Sequence, residues 1–171
     1  LYELDGLPSF KKRLLAQLRR VVPCDMVIYC ENNLRTKESR GFCDIPGAFD
    51  EKDARVYARH VQESPLVRAY RRGLGSAVKY TDFLTRREFH HTGLYNEFFR
   101  KRGIEFRIAK GLPGPPELIT AVFLDRSGRR DFSERDRLVL NLLRPHLNQS
   151  YQNAVIVASL RDEVAMVEQG L

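Results

Sequence analysis

The chain has 171 residues, of which 43% are hydrophobic and 30% charged, a balance that indicates a globular protein and excludes the disordered and fibrous classes. This length fits one domain with a sizeable core. No apolar run approaches the roughly 18 residues of a membrane span, and the amphipathic start lacks the apolar stretch of a signal peptide, so we expect a cytoplasmic protein.

The net charge of +7 permits contact with nucleic acid or an acidic partner. The basic residues are dispersed in short groups, however, and no single segment carries the string of Arg, Lys, Asn and Gln that a groove-reading helix needs. We therefore interpret most of them as solvated surface, with at most a non-specific electrostatic contribution to DNA that is bound by another part of the protein.

The cysteines Cys24, Cys30 and Cys43 are odd in number and have no CxxC spacing. We expect reduced, buried thiols that act as small hydrophobic side chains, which suits a reducing compartment.

The first half of the chain predicts a helix, two strands and two further helices. Apolar residues recur at helical spacing over residues 10–22, and Pro23 ends that helix. Residues 25–31 read as a buried strand, and residues 40–43 as a second, shorter one. Asp50 then caps a helix over residues 51–63 with Asp53 as its capping-box partner. A second helix over residues 66–72 ends at Gly73.

The middle of the chain predicts a short edge strand, an aromatic helical region and a hairpin. Residues 76–80 form the edge strand, and residues 81–102 are mostly helical, with a break near Gly93 and a stop at Gly103. In residues 104–108 apolar positions alternate with Glu105 and Arg107, which predicts a half-buried strand with one polar face. Residues 118–124 are apolar on both faces, as in a central strand, and the loop over residues 111–116 makes the pair an antiparallel hairpin.

The last predicted element is a long helix that Ser133 caps, with Asp136 at the capping-box position. Pro145 lacks an N–H for the carbonyl of residue 141 and should kink or split this helix. The order of the elements is that of an α+β fold, in which one antiparallel sheet of about five or six strands carries helices on its faces. We expect the N- and C-terminal helices to be adjacent on one face.

No motif for catalysis or nucleotide binding is present: there is no GxGxxG, Walker A, HExxH or GxSxG sequence. His90 and His91 are adjacent, so their side chains diverge on a helix and cannot both reach one metal ion. Glu88, His91 and Glu97 lack the convergence and support that a metal site needs. We expect no catalytic residues, no metal and no cofactor.

Residues 131–147 read DFSERDRLVLNLLRPHL. This segment resembles the one that closes the GAF-like region of bacterial LuxR-class helix-turn-helix transcriptional regulators. PLVRAY at residues 65–70, TDF at 81–83 and FHHTGLYNEF at 89–98 are also similar to that family. The resemblance covers residues 65 to 154 and, more weakly, the N-terminal third.

The resemblance implies a GAF-like sensory domain over residues 1–154. Residues 155–171 would then form a signalling and dimerisation helix that leads to a DNA-binding domain outside this chain. The start at Leu1 and the end just past a helical pattern also suggest a piece of a longer polypeptide. The implied function is to bind a small-molecule effector or a partner and to dimerise, while a helix-turn-helix elsewhere binds DNA.

From the positions of aromatic and polar residues in a GAF-like fold we predict an apolar ligand site that contains a few polar groups. Its residues would be Phe42, Tyr70, Phe83, Tyr95, Phe106 and Arg107. A homodimer would form along the stripe of the last helix at Leu140, Leu143, Leu147, Ala154 and Ala158, although Arg161 interrupts that stripe. Two alternatives remain: a ligand-free dimerisation or interaction module, and a thiol-dependent enzyme on a GAF scaffold, which would resemble free methionine sulfoxide reductases in fold class.

Overall fold

The computed structural model describes residues 7–33, 35–36, 38–71, 75–113 and 117–169. Its strands are β1 (Met26–Asn33), β2 (Ser39–Cys43), β3 (Val78–Lys79), β4 (Ile104–Leu112) and β5 (Leu118–Ser127). They form one antiparallel sheet in the order β2-β1-β5-β4-β3. The predicted hairpin is therefore confirmed as β4–β5, with β5 in the centre of the sheet and β3 at an edge.

The helices are α1 (Leu7–Val21), α2 (Glu51–His60), α3 (Pro65–Arg71), α4 (Arg86–His90), α5 (Glu134–Leu142) and α6 (Arg144–Gln169). Short 3-10 turns follow α2, β3 and a five-residue π-helical turn, Tyr95–Phe99. The aromatic segment over residues 81–102, which the sequence predicts to be mostly helical, thus consists of several short helical turns. It ends at Gly103, whose φ of 64° lies in the left-handed region that favours glycine.

The terminal helices pack together on one face of the sheet, as predicted. The apolar stripe of α1 buries Phe10, Leu14 and Leu18 against the sheet and against α6. The rings of Phe10 and Tyr151 lie 6.0 Å apart where the two helices meet. Burial of these side chains removes apolar area from water and anchors the first half of α6 to the domain.

Helices α2, α3 and α4 and the π-helical turn cover the opposite face. The core there is built on aromatic side chains that pack edge to face, such as Phe89 against Tyr80 at 5.1 Å between centroids. This core accounts for most of the aromatic residues of the segment, including Phe89, Phe98 and Phe99.

Local signals in the sequence set the helix ends. Asp50 with Asp53, and Ser133 with Asp136, form the two predicted capping boxes. Pro145 lies in the first turn of α6, where a missing N–H costs no hydrogen bond, so the predicted long helix is split into α5 and α6. The predicted helix end at Gly73 and residues 114–116 of the predicted hairpin loop lie outside the described residues, whereas residues 111 and 112 of that loop belong to β4.

The prediction of a polar face on β4 is wrong at Arg107. Its side chain is 2% exposed, and the strand is buried along both faces over most of its length. Arg107 lies opposite Asp125 of β5 in the hairpin register. A buried carboxylate therefore neutralises the guanidinium that the alternation pattern predicted to be exposed to solvent.

Lys110 is a buried cation on the same face of β4 as Phe106 and Ile108. It is 1% exposed, and its ammonium donates to the carbonyl of Gly75. Burial, with a smaller contribution from the nearby Arg144 guanidinium, lowers the pKa of Lys110 to about 8.

This shift predicts a pH dependence of stability. The unfolded chain holds the Lys110 proton up to the ordinary pKa of 10.5, whereas the folded chain releases it near pH 8. Between those values the unfolded state binds more protons, so the free energy of unfolding should rise with pH. Urea unfolding at pH 7 and pH 10 should show a rise on the order of 1 kcal/mol for the wild type relative to Lys110→Met.

The matched control is Lys12→Met, because Lys12 is exposed on α1. Its stability should follow the wild type across the same pH range. Parallel profiles for the wild type and Lys110→Met would contradict the account.

Candidate ligand-binding site

A cavity of about 280 Å³ lies between α2 and the sheet. We name it the aromatic cavity; its lining is Ile28, Cys30, Ser39, Gly41, Phe49, Asp50, Glu51, Ala54, Tyr57, Phe98, Arg107 and Phe123. Gly41, Asp50 and Glu51 are solvent-exposed, whereas Phe98, Phe123 and Arg107 are buried. The cavity therefore opens between β2 and the start of α2 and ends at the sheet.

A buried ion pair lies at the inner end of this cavity. Arg107 Nε and Nη2 each donate to an Asp125 carboxylate oxygen at 2.6 Å, and the two side chains are 2% and 0% exposed. The guanidinium also lies between two rings, with Cζ 4.5 Å from the centre of Phe99 and 4.7 Å from that of Phe123. Burial opposes the charge, but the Asp125 carboxylate outweighs this effect and raises the pKa of Arg107.

Stacked aromatic side chains form one wall of the cavity. The rings of Phe49 and Phe98 are parallel within 3°, with centroids 5.6 Å apart, and Tyr57 packs on Phe98 at 5.0 Å. Arg102 covers Phe98 with its Cζ 4.4 Å from the ring centre and pairs with Asp53 of α2. This hydrogen bond from Arg102 holds the pKa of Asp53 below its ordinary value. Arg102 thus joins the N-terminal half of α2 to the aromatic wall.

A histidine holds the C-terminal end of α2. His60 Nδ1 lies 2.7 Å from Glu63, and Nε2 lies 3.1 Å from Glu97 of the π-helical turn. The hydrogen bond to Glu63 is the main cause that raises the pKa of His60. A Cβ on Gly93 would lie 2.5 Å from the imidazole, so only glycine fits beneath it. Polar contacts at its two ends, together with the packing of Val56 and Tyr57 against the aromatic core, hold α2 over the cavity.

A second cavity, of about 250 Å³, adjoins the first beneath the same helix. We name it the amide cavity; its lining is Asn32, Asn33, Glu38, Ser39, Tyr57, Ala58, Val61, Gln62, Val67 and Ile119. Tyr57 and Ser39 belong to both linings. Burial raises the pKa of the Tyr57 hydroxyl, which stays a neutral donor at all physiological pH values.

Of the six residues predicted to bind a ligand, the structure brings Arg107 to the aromatic cavity. Phe106 is next to it on β4 but points to the opposite face, into the core beneath α1 and α6. Phe42 pairs with Tyr29 in the sheet and is 42% exposed. Successive side chains of a strand point to opposite faces, which is why Phe42 and Phe106 do not line the cavity that Gly41 and Arg107 line.

The other three predicted residues line neither cavity. Tyr95 stacks on His90 at 4.1 Å and donates its hydroxyl to Glu105. Phe83 is 43% exposed, and Tyr70 packs against the aromatic core from α3. Aromatic density in the sequence marked this core correctly but did not distinguish core from cavity lining.

The residues predicted to form the dimer interface are largely used by the domain itself. Leu140, Leu147 and Ala154 are at most 4% exposed in the core beneath α1 and α6, and Leu143 packs against that core. Ala158 is half-buried. The stripe that the sequence shows is therefore mainly the side of α5 and α6 that faces the sheet.

Sequence reasoning missed Phe49, Tyr57 and Gly41 as lining residues. The helix predicted over residues 51–63 carries an apolar stripe that contains Ala54 and Tyr57. In the structure Ala54 and Tyr57 of that stripe line the aromatic cavity, and Tyr57 also packs on Phe98. The signal in the sequence that could have indicated a cavity was the small side chains, Ala54 and Ala58, on the apolar stripe of this short helix.

The three cysteines are free. Burial raises the pKa of Cys24 to about 12 and that of Cys43 to about 11, and it also raises the pKa of Cys30. Thiols with such pKa values remain protonated near neutral pH, and the thiolate is the reactive form. The geometry thus disfavours the thiol-dependent enzyme.

Within the described part of the chain, no group of three or more His, Cys, Asp and Glu side chains is placed to hold a metal ion. Over the same residues, none of the helices has the length and apolar character to cross a membrane.

No protein-family model matches the chain, and no curated protein matches its sequence. Solved structures do share its fold. The LBD domain of VqsR from Pseudomonas aeruginosa is 18% identical, with a TM-score of 0.73 over 90% of this chain and 89% of that one. SdiA from Escherichia coli is 12% identical, with a TM-score of 0.63 over 92% of this chain.

The chain spans only 63% of the SdiA chain. A GAF domain of a two-component sensor histidine kinase from Bacillus halodurans is 11% identical, with a TM-score of 0.56 over 88% of this chain and 97% of that one. The fold is therefore GAF-like and α+β, as the resemblance implied, and it is shared with the ligand-binding domains of LuxR-type regulators.

The buried ion pair at the base of the cavity leads to a prediction about the stability of the domain. Arg107→Met leaves the Asp125 carboxylate buried without a partner, which should lower the free energy of unfolding by about 3–5 kcal/mol. Urea unfolding measures this loss.

The double variant Arg107→Met, Asp125→Leu replaces both charges with apolar side chains and should recover most of the stability. A single variant as stable as the wild type, or a double variant as unstable as the single one, would contradict the account.

Proposed function

We propose that this chain is the sensory domain of a bacterial transcriptional regulator: it binds a small-molecule effector in the aromatic cavity and dimerises through α6. A helix-turn-helix outside the chain would bind DNA. The observation that carries the proposal is a cavity of about 280 Å³ that ends at the buried Arg107–Asp125 pair. Effector binding there would be regulatory rather than catalytic.

The composition of the cavity is that of a small-ligand site. Ile28, Phe49, Phe98 and Phe123 supply apolar walls, and a few polar groups, chiefly Arg107, are placed to fix the orientation of a ligand. Ligand sites typically combine a mostly apolar lining with a few well-placed polar groups.

The structural neighbours support the same proposal. VqsR is represented by its ligand-binding domain, and SdiA has been solved in complex with octanoyl-rac-glycerol. Both are LuxR-type regulators. Their shared fold supports the proposal that this chain senses a small molecule upstream of a DNA-binding domain.

The outer half of α6 supports dimerisation, although by residues other than those predicted. Beyond Ala154 the described part of the helix has no buried residue. Val157, Leu160, Val164 and Val167 recur at spacings of three, four and three residues, which is the period of a coiled-coil seam. Leu160, Val164 and Val167 are 55%, 56% and 64% exposed. A second copy of the helix would cover this seam.

Strand β4 connects the two regions. Arg107 faces the aromatic cavity, while Phe106 and Ile108 on the other side of the strand pack in the core that holds α6. A ligand that displaces Arg107 would shift the strand that supports α6. This gives a contiguous route from the cavity to the dimerisation helix.

A ligand-free dimerisation module is the second candidate, and the exposed seam of α6 favours it equally. The two candidates differ only in whether a ligand binds in the cavity. A variant that blocks the cavity therefore distinguishes between them.

Gly41 offers a way to block the aromatic cavity. A Cβ at this position would meet nothing closer than the Tyr29 carbonyl at 3.9 Å, so Gly41→Leu adds a side chain without strain at its base. We expect the wild type to bind octanoyl-rac-glycerol in calorimetric titrations and Gly41→Leu to bind it at least about ten-fold more weakly.

Phe42→Leu is the matched control, because Phe42 is the neighbouring residue, points to the opposite face of the sheet and is 42% exposed. Its affinity should equal that of the wild type. If octanoyl-rac-glycerol does not bind, or if Gly41→Leu binds it as well as the wild type does, the ligand-free module is the better description.

The exposed seam of α6 predicts that the domain dimerises through this helix. Leu160→Glu with Val164→Glu places charges in the interface. We expect the wild type, with a dissociation constant near 1 µM, to be dimeric at about 20 µM and this variant to be monomeric at the same concentration. Sedimentation velocity measures the change. Leu138→Glu with Leu142→Glu, on the exposed side of α5, should remain dimeric. A monomeric wild type would refute dimerisation through this helix.

A further inference from the structure

The imidazole of His60 lies between two carboxylates at the end of α2. Its Nδ1 is 2.7 Å from Glu63, in the turn that follows α2, and its Nε2 is 3.1 Å from Glu97, in the π-helical turn. Among the described residues these are the charged groups that act on the ring. The segment before the π-helical turn contributes only the backbone of Gly93, and Arg59 of α2 reaches Glu97 at 3.6 Å. His60 therefore joins the end of α2 to two other parts of the chain.

A neutral imidazole does not fit this arrangement. It carries one N–H, so one ring nitrogen donates and the other presents a lone pair. With the proton on Nδ1, the lone pair of Nε2 faces Glu97; with the proton on Nε2, the lone pair of Nδ1 faces Glu63. In both cases a lone pair lies within 3.1 Å of a carboxylate oxygen. The imidazolium carries a proton on each nitrogen and is the form that attracts both carboxylates.

The two carboxylates are held differently. Glu63 Oε2 accepts from the Leu94 amide at 3.1 Å, and Oε1 lies 3.0 Å from the position that a Cβ on Gly93 would take, so this carboxylate is seated on the backbone. Glu97 is 46% exposed, and its contact with Nε2 lacks the alignment of a hydrogen bond. Loss of one proton should therefore release Glu97, while Nδ1 keeps its proton and its bond to Glu63.

We propose that His60 is a proton-operated clasp between α2 and the π-helical turn. The imidazolium holds Glu63 and Glu97 together and fixes the C-terminal end of α2, whereas the neutral ring keeps Glu63 and releases Glu97. Because α2 lines both cavities, the clasp makes their wall sensitive to pH. This consequence for ligand binding rests on the proposed sensory function, but the clasp itself does not.

The clasp should act near neutral pH. The hydrogen bond to Glu63 is the main cause that raises the pKa of His60 above its ordinary value of 6.5, and burial opposes it. A group with a higher pKa in the folded chain contributes its full stabilisation below the unfolded value and loses it as the pH rises through the folded value. The clasp is thus closed on the acid side of neutrality and opens on the alkaline side.

Nuclear magnetic resonance of the ligand-free chain tests the clasp. The His60 ring should titrate above pH 6.5, and Glu97→Gln, which removes one of the two negative charges, should lower its pKa. Amide hydrogen exchange over residues 57–60 reports whether the end of α2 is held. In the wild type we expect protection factors at least about three-fold higher at pH 6 than at pH 8, and in Glu97→Gln equal factors at both pH values.

His91→Gln is the matched control, because His91 is an exposed histidine whose Nδ1 faces the Arg87 carbonyl rather than a carboxylate. This variant should keep the pH dependence of the wild type, and His60→Gln, which cannot titrate, should lose it. Equal protection at pH 6 and pH 8 in the wild type would overturn the clasp. A wild-type pH dependence in Glu97→Gln or in His60→Gln would overturn it as well.

Calorimetric titration with octanoyl-rac-glycerol at pH 6 and pH 8 tests the control of binding. A cavity wall that is fixed before binding lowers the ordering cost. The wild type should therefore bind at least about three-fold more tightly at pH 6, and Glu97→Gln equally at both pH values. Equal wild-type affinities would overturn the control of binding and leave the sensory function standing. Absence of binding at both pH values would overturn the sensory function and this control with it, while hydrogen exchange decides the clasp.

Discussion

The buried ion pair between Arg107 and Asp125 is the constraint on which the rest of the structure depends. Two charges enter the interior only because the β4–β5 register places them opposite each other, where they form two hydrogen bonds of 2.6 Å. The pair then determines what surrounds it. The rings of Phe99 and Phe123 enclose the guanidinium, and the remaining space next to it is the inner end of the aromatic cavity.

The two faces of the sheet are covered in different ways. On one face α1 and α6 bury long apolar side chains in a close-packed core. On the other face, α2 lies over cavities and is held at its ends by Arg102 with Asp53 and by His60 with Glu63 and Glu97. The proposed sensory function places the ligand on the face that holds the cavities and the dimer contact on the helix that the other face supports.

Much of the fold could be predicted from local chemistry. The capping box at Asp50, the split at Pro145 and the pairing of β4 with β5 depend on neighbouring residues, and the structure has all three, whereas the polar face that alternation predicted for β4 is absent at Arg107. The site depends on distant pairs instead. Arg107 looked exposed because Asp125 is 18 residues away, and only the hairpin register unites them. Periodicity likewise shows that a stripe of α5 and α6 is apolar, but it cannot tell whether the domain's own core or a second copy covers it.

The central claim is that a small molecule binds between α2 and the sheet. Its most direct test is to record intermolecular nuclear Overhauser effects between isotope-labelled protein and octanoyl-rac-glycerol. The account predicts contacts from the octanoyl chain to the rings of Phe98 and Phe123 and to Ile28. Contacts confined to the exposed side chains of α6, such as Leu160 and Val164, would show surface adsorption and would contradict it.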